Sequence, residues 1–486
     1  MGLLNAFDLA IIICYLAGIT WIGSRYYKKD TGLKDYLQGS KVMKWFPVAL
    51  SIIAADTSAV SYLGVPAWSY REDMKLGMGI FAYLIAIPIV IAVFLPVFAK
   101  GNLFTAYQYL EQRFDLRVRF LSSAIFMIFR GTHVAVIIYA PALVMAELMG
   151  VPLKVSILAM GVLTTFYTAM GGIKAVIWTD TIQVITVLVG FTIIVVSVLS
   201  NTEGGLSQLY SIGMANGKFD LFDFSFHLNN NDNFWPVFIG GTLLYVQALS
   251  TDQSVLQKFF TTKSAKETRK SLLFYGLIII PLISILSFLG VALFVFYSTH
   301  PSMQATLKNS DAVVAHYAAN MLPHGLTGLI VASIFAGSMS TVSASINSLA
   351  TSSVIDIYKR ILRPDCSDRH YTNASRISTV SWGLITTVGA LFADRLGALV
   401  LATVKIQSLM GGIVLGIFLL GVVTKTATST GALVGAGIGL ATVISISIYA
   451  PVSVYWYGVI GCACTFVLGW TYSQLLTRTL PLRETP

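Results

Sequence analysis

The chain has 486 residues, of which 56% are hydrophobic and only 11% are charged, and its net charge is +10. A water-soluble domain carries about 25% charged residues, so this composition excludes an ordinary soluble protein. An excess of Lys and Arg is typical of the cytoplasmic loops of membrane proteins, and we expect no nucleic acid as a partner.

Long apolar segments recur along the whole chain. Most reach the length of a helix that crosses a bilayer core of roughly 30 Å, and they lack the alternation with period two that a barrel strand requires. The sequence therefore predicts an all-α integral membrane protein with thirteen transmembrane helices. These spans lie at residues 6–25, 46–69, 77–99, 120–148, 153–170, 177–199, 234–256, 271–297, 325–356, 376–394, 397–421, 426–449 and 452–476.

The distribution of positive charges gives the orientation of these spans. With the N-terminus outside, 24 of the 32 Lys and Arg residues fall in cytoplasmic loops and six fall in outside loops. Because such cations accumulate on the cytoplasmic side, we predict an outside N-terminus and a cytoplasmic C-terminus. Short loops favour a plasma membrane of the bacterial inner-membrane type, and we expect a lipid-embedded protein that functions as a monomer.

The first polar segment inside a span runs over residues 54–66. Its small and polar residues, followed by Gly and Pro, weaken a helix at mid-membrane, and an unwound segment frees carbonyl oxygens that suit Na⁺. Asp56, Ser58 and Ser61 are the candidate substrate contacts of this segment. The alternative is a kinked helix whose hydroxyls pack against a neighbour.

Isolated polar residues in other spans are further candidates, because polar groups inside a membrane usually face the bundle interior. His133, Gln247 and Lys405 are predicted substrate contacts, although His133 also suits a satisfied core position and Lys405 also suits an ion pair with Asp56. Arg130 sits where it can line an aqueous cavity. We find no paired carboxylates, zinc motif or Ser–His dyad, so we do not expect an enzyme.

The sixth and ninth spans add two polar groups. Asp180 begins the sixth span and is interpreted as a cation ligand, a gate residue or a helix N-cap. The ninth span crowds Ser340, Thr341 and Ser343 into one membrane segment. Their hydroxyls are neutral oxygen ligands for a monovalent cation, or they serve small-residue packing between helices.

Four segments together resemble the sodium:solute symporter family, whose members couple Na⁺ entry to uptake of sugars, amino acids, vitamins, sialic acid, carboxylates or iodide. The segments lie at residues 109–114, 171–180, 251–258 and 337–348. The resemblance implies a LeuT-like fold with two inverted repeats of five helices. Within one domain over 1–486, the repeats are 46–199 and 234–421, with an extra helix at 6–25 and two C-terminal helices at 426–476.

The resemblance also implies that the first helix of each repeat is broken, near Asp56–Gly64 and near Tyr245–Ser250. It implies a Na⁺ site in which neutral oxygens from the first break and the ninth span surround the ion. The implied ligands are the carbonyls of Ala54, Thr57 and Gly337 and the side chains of Ser340 and Thr341. A second Na⁺ position is implied at Asp180 and Ser343, although Ala344 replaces a serine that the sialic acid branch uses.

The substrate expectations follow from the same resemblance. The sialic acid branch has an arginine at the position of His133, and the sugar branch has a Tyr–Trp pair where Ala248 and Leu249 stand. Lys405 suits an anion. We predict a sodium-coupled secondary active symporter of a small organic anion or zwitterion, such as a carboxylate, a vitamin, an amino acid or a sialic-acid-like solute. A sugar symporter, a uniporter or channel, and a sensor with a transporter fold are the alternatives.

Overall fold

The protein is described from a computed structural model, which covers residues 4–25, 32–101, 103–307, 309–396 and 399–479. Within these ranges every regular element is a helix, and one isolated bridge joins Met43 to Thr262. The all-α prediction is confirmed. Residues 397 and 398, which begin the predicted eleventh span, and both ends of the domain predicted over 1–486 lie outside the described residues.

The first half of the chain is built from long apolar helices joined by short ones. In chain order these are α1 (Ala6–Arg25), α2 (Leu33–Gln38), α3 (Trp45–Asp56), α4 (Ala59–Arg71), α5 (Gly79–Ile89), α6 (Leu95–Ala99), α7 (Tyr107–Arg113), α8 (Leu116–Met149), α9 (Leu153–Asn201) and α10 (Gly205–Ala215). Tighter 3₁₀ turns occupy Gly39–Lys41 and Lys75–Met78, and a π-helical segment over Val90–Phe94 joins α5 to α6.

The second half follows the same plan. Its helices are α11 (Gly241–Ser250), α12 (Gln253–Phe259), α13 (Ala265–Thr299), α14 (Pro301–Gln304), α15 (Val313–Met321), α16 (Leu326–Ser352), α17 (Asp368–Ala390), α18 (Leu399–Val423), α19 (Ser429–Tyr449) and α20 (Val454–Thr479). Two π-helical segments, Pro236–Gly240 and Ser353–Leu362, precede α11 and follow α16, and 3₁₀ turns occupy Ser310–Ala312 and Ala393–Leu396.

Among the described residues, nine helices are long and apolar enough to cross a membrane, and one bent pair makes ten. Helix α9 counts once in that total, yet its 49 residues would extend about 74 Å as one straight helix, more than twice the bilayer core. It is interrupted at Gly172, whose φ of 61° and ψ of −166° are non-helical and suit glycine. The two parts match the spans predicted at 153–170 and 177–199. The total of thirteen spans stays a prediction.

Helix α16 lies at the centre of the bundle and is buried along almost its whole length. It packs against α1, α3, α8, α9 and α17. Small side chains allow these helices to approach it closely. Its N-terminus is capped from outside: Asp8 Oδ1 in α1 accepts hydrogen bonds from Gly325 N at 2.7 Å and Gly328 N at 2.9 Å. The extra N-terminal helix is thereby fixed to the central helix, since a carboxylate stabilises a helix N-terminus.

The first span of the predicted first repeat is broken, as the sequence predicts. Helices α3 and α4 meet at an angle of 53° across Thr57 and Ser58. Ser58 is extended, with φ −80° and ψ 172°, and its side chain accepts from Val60 N, so it caps α4. In an unbroken helix, Ser58 N and Ala59 N would bond to the carbonyls of Ala54 and Ala55, so the break frees both oxygens.

The second predicted break lies one or two residues beyond Tyr245–Ser250, at Thr251 and Asp252, between α11 and α12. Asp252 is extended, with φ −80° and ψ 117°, and its side chain accepts from Ser254 N at 2.8 Å. The difference has a local cause, because an aspartate is a strong N-cap and fixes the start of the new helix at the following residue.

Candidate sodium and substrate sites

The oxygens predicted to bind sodium lie together where α16 crosses the first break. Ser340 Oγ lies 2.8 Å from Ala54 O and 2.9 Å from Gly337 O. Thr341 Oγ1 lies 3.2 Å from Ala54 O, 3.1 Å from Ala55 O and 3.2 Å from Gly337 O. The backbones approach closely, because a Cβ at Gly337 would stand 3.3 Å from Thr57 O.

This oxygen cluster fits a monovalent cation. Two hydroxyl groups hold two protons, yet they make five close contacts with three carbonyl oxygens, so lone pairs outnumber protons. The C-terminal end of α3 adds the partial negative charge of a helix terminus. The oxygens that meet here belong to hydroxyl and carbonyl groups, so a cation at this place would rest on neutral oxygens.

A cavity of about 160 Å³ lies beside these oxygens and between the two breaks. It has room for on the order of ten water molecules, which suits a small organic solute. Of the predicted substrate residues, Asp56, Ser58, Ser61 and His133 line it. Thr57 and Thr341 line the same space, so the predicted sodium and substrate positions are adjacent.

Asp56 is held in the cavity wall by tyrosines. Its Oδ2 accepts from Tyr83 Oη at 2.9 Å and from Tyr275 Oη at 2.8 Å. The ring of Tyr83 stacks on that of Tyr245, with centroids 3.6 Å apart. Two phenol groups donate to one carboxyl oxygen, so they fix the orientation of the Asp56 side chain in the cavity wall.

The structure does not bring Lys405 to the substrate position or to Asp56. The residues of α18 that line the cavity are Val400, Thr403, Val404 and Gln407, which repeat with the period of one helix face. Lys405 is on another face of the same helix, and its side chain is exposed. The sequence did not predict the face on which Lys405 lies, because a helix that is apolar all round does not reveal its inner face.

Gln247 lies behind the cavity wall. It is buried, and its Oε1 accepts from Gln407 Nε2 at 3.1 Å. Gln407 is a lining residue, whereas Gln247 touches the cavity only through this contact. A buried amide that bonds to a lining residue sets the orientation of that residue, so Gln247 is a positioning residue in this arrangement.

Arg130 is a feature of the site that the sequence analysis named without assigning it a role. Among the described residues it is the one Lys or Arg that lines the cavity, and its side chain is buried. Its Nη1 lies 3.2 Å from Asp252 Oδ2 and 3.0 Å from His133 Nδ1. Because a guanidinium only donates, His133 Nδ1 accepts and carries no proton.

Asp180 is not a helix N-cap, because it lies within α9, past the interruption at Gly172. Its Oδ2 accepts from Ser51 Oγ at 2.6 Å and from Lys258 Nζ at 2.9 Å, and the side chains of Asp180 and Lys258 are fully buried. Ser343 Oγ donates to Ser340 O at 3.0 Å. Asp180 Oδ1 is buried and has no hydrogen-bond partner among the described residues, so it is the oxygen of this carboxylate that is left for a second cation.

Comparison with known proteins identifies the family. Residues 36–439 match the model of the sodium:solute symporter family. The chain belongs to this family. It is therefore a sodium-coupled membrane transporter and not an enzyme, as predicted.

Similar proteins include the sodium/sialic acid symporter NanT of Aliivibrio fischeri, 29% identical over 96% of this chain and 93% of the relative. The human sodium-coupled monocarboxylate transporter 1 is 33% identical over 92% of this chain and 71% of that protein. A solved Na⁺-coupled sialic acid symporter in a substrate-bound outward-open state is 28% identical, with a TM-score of 0.90 over 97% of this chain and 98% of that one. The LeuT-like fold prediction is confirmed by this neighbour.

Proposed function

We propose that this member of the sodium:solute symporter family imports a small organic carboxylate together with Na⁺. The observation that carries the proposal is one cavity in which the predicted sodium oxygens of Thr57 and Thr341 adjoin the buried guanidinium of Arg130. Relatives named for sialic acid and for monocarboxylates support it, because both solute classes carry a carboxylate.

The charges of the cavity give a reason for coupling. The lining includes Asp56, Asp252, Arg130 and His133. In this proposal both carboxylates are ionised and His133 is neutral, so the lining carries a net charge of −1. An anionic solute is repelled by this lining until Na⁺ enters the adjacent site. We therefore expect Na⁺ to bind first and to raise solute affinity by roughly 5- to 150-fold, the usual range of coupling between two sites.

The sodium ligands in this proposal are Ala54, Thr57, Gly337, Ser340 and Thr341. A bound ion would join the first break to α16 and so favour one arrangement of the bundle. The proposal includes a second Na⁺ position at Asp180 Oδ1 and Ser343. It also includes the two repeats at 46–199 and 234–421, a plasma membrane location, an outside N-terminus and a monomeric working unit.

Uptake into vesicles tests the proposal. The purified protein is reconstituted, an inward Na⁺ gradient is imposed, and labelled lactate, N-acetylneuraminate, proline and glucose are compared, since these represent two carboxylates, a zwitterion and a neutral sugar. We expect accumulation of at least one carboxylate that stops when K⁺ replaces Na⁺. Accumulation of glucose alone, or carboxylate uptake that is equal in K⁺, contradicts the proposal.

A further inference from the structure

The guanidinium of Arg130 sits at the boundary between a long scaffold helix and the second break. Arg130 belongs to α8, and its partner Asp252 caps α12. The ion pair is almost completely buried, with side-chain exposures of 6% and 1%. A buried pair of this kind is costly to break unless another partner takes the place of the lost one.

Arg130 has hydrogen-bonding capacity that the protein does not use. Nη1 contacts Asp252 and His133, and Nη2 donates to Ser254 Oγ. Nε is buried and has no hydrogen-bond partner among the described residues. A guanidinium offers five N–H groups, and a carboxylate can accept two parallel hydrogen bonds from its Nε and Nη2 edge. Nε of this cavity-lining residue is therefore left to donate to an acceptor that the protein itself does not supply.

Building on the proposed function, we propose that Arg130 binds the carboxylate of the transported solute. When no solute is bound, Asp252 forms the ion pair with the guanidinium instead. The solute carboxylate shares or displaces the contact that Asp252 Oδ2 makes in this structure. The role of Arg130 is then to recognise the anionic class of solute. His133 lies one turn further along the same helix, and its Nδ1 accepts a hydrogen bond from the guanidinium.

The exchange also gives the solute a way to act on the second break. Asp252 uses its two oxygens for different purposes: Oδ1 accepts from Ser254 N at 2.8 Å and Ser254 Oγ at 2.7 Å, whereas Oδ2 faces Arg130. A solute carboxylate competes for Arg130 and leaves the cap of α12 in place. Binding therefore weakens the tie between α8 and α12 without unfolding either helix.

Two substitutions with the same loss of positive charge test the role of Arg130. Binding of lactate, N-acetylneuraminate and the neutral amide lactamide is measured in saturating Na⁺ for wild type, Arg130→Gln and Lys405→Gln. We expect Arg130→Gln to weaken binding of the carboxylate that wild type accepts by roughly 10- to 100-fold, as for hydrogen bonds to a charged group. Lys405→Gln, which removes an exposed charge from a helix that lines the cavity with other residues, should match wild type.

Stabilisation of Arg130→Gln by Na⁺ alone shows that the variant is folded. Equal carboxylate affinity in Arg130→Gln and wild type overturns the assignment of Arg130 while leaving the proposed function intact. Wild type that binds neither carboxylate in Na⁺ overturns the proposed function itself. The two failures are therefore distinguishable.

Asp252→Asn provides a second test with the opposite sign. Asparagine keeps an oxygen for the cap of α12 and removes the charge that competes for Arg130. We expect the variant to bind the carboxylate several-fold more tightly than wild type and to leave lactamide binding unchanged. Unchanged or weaker carboxylate binding in Asp252→Asn overturns the exchange between Asp252 and solute, because a purely structural ion pair predicts a loss in both variants.

Discussion

The two helix breaks are capped in the same way and have different chemistry. Each has an extended capping residue, Ser58 or Asp252, whose side chain accepts from the backbone N–H two residues later. At the first break, carbonyl oxygens of the broken helix lie beside hydroxyl groups of α16, and these oxygens are neutral. The second places a carboxylate against a guanidinium.

This difference indicates how one architecture serves two ligands. A helix break supplies unpaired backbone groups wherever it occurs, so geometry alone does not choose a ligand. Neutral oxygens suit Na⁺, whereas a guanidinium with an unpaired Nε suits a carboxylate. The neighbours of each break, α16 for the first and α8 for the second, therefore decide what is bound there.

Lys258 connects the two broken helices and should give the largest effect on stability. It lies in α12, and its Nζ donates to Ser51 O in α3 at 2.6 Å and to Asp180 Oδ2 at 2.9 Å. Lys258→Met would leave the Asp180 carboxylate buried without its cation, which costs about 3–5 kcal/mol. The expected result is a strongly lowered midpoint of thermal unfolding in detergent.

The control is the double variant that combines Lys258→Met with Asp180→Asn. Removing both charges should restore most of the stability, since no uncompensated charge is left. If the double variant is as unstable as Lys258→Met, the ion pair is not the reason for the loss, and the link between the two breaks rests on the contact to Ser51 instead.

The next effect concerns sodium at the first break. Ser340 and Ser345 both lie in the buried part of α16, but only Ser340 Oγ reaches Ala54 O, whereas Ser345 Oγ donates to Thr341 O at 2.7 Å within its own helix. Ser340→Ala should raise the Na⁺ concentration for half-maximal uptake about tenfold, or about 1.4 kcal/mol. Ser345→Ala should leave it within twofold, as measured by uptake against Na⁺ concentration. A similar shift in both variants would remove Ser340 from the ion site.

Local patterns in the sequence predict the long helices and the weak point of the first break, whereas the position of the second break and the sodium ligands were expected from the resemblance to the family. A break follows from small, polar and capping residues within one segment, and Ser340 and Thr341 are neighbours in one helix. The ion pairs were not predicted, because Lys258 and Asp180 are 78 residues apart and Arg130 lies 122 residues before Asp252. Such contacts depend on how helices pack, and a uniformly apolar helix such as α18 carries no stripe that orients it.

The smallest expected effect separates the capping role of a break from its ligand role. Ser58→Ala removes the side-chain acceptor for Val60 N and should lower stability by about 1 kcal/mol, whereas Ser58→Gly should cost only a few tenths. Both are measured by thermal unfolding without ligand. If Ser58 is only a cap, carboxylate affinity in saturating Na⁺ changes little in either variant. A drop in affinity that Ser58→Ala and Ser58→Gly share, despite their different stabilities, would instead show that the hydroxyl donates to the solute, and the first break would then serve both ligands.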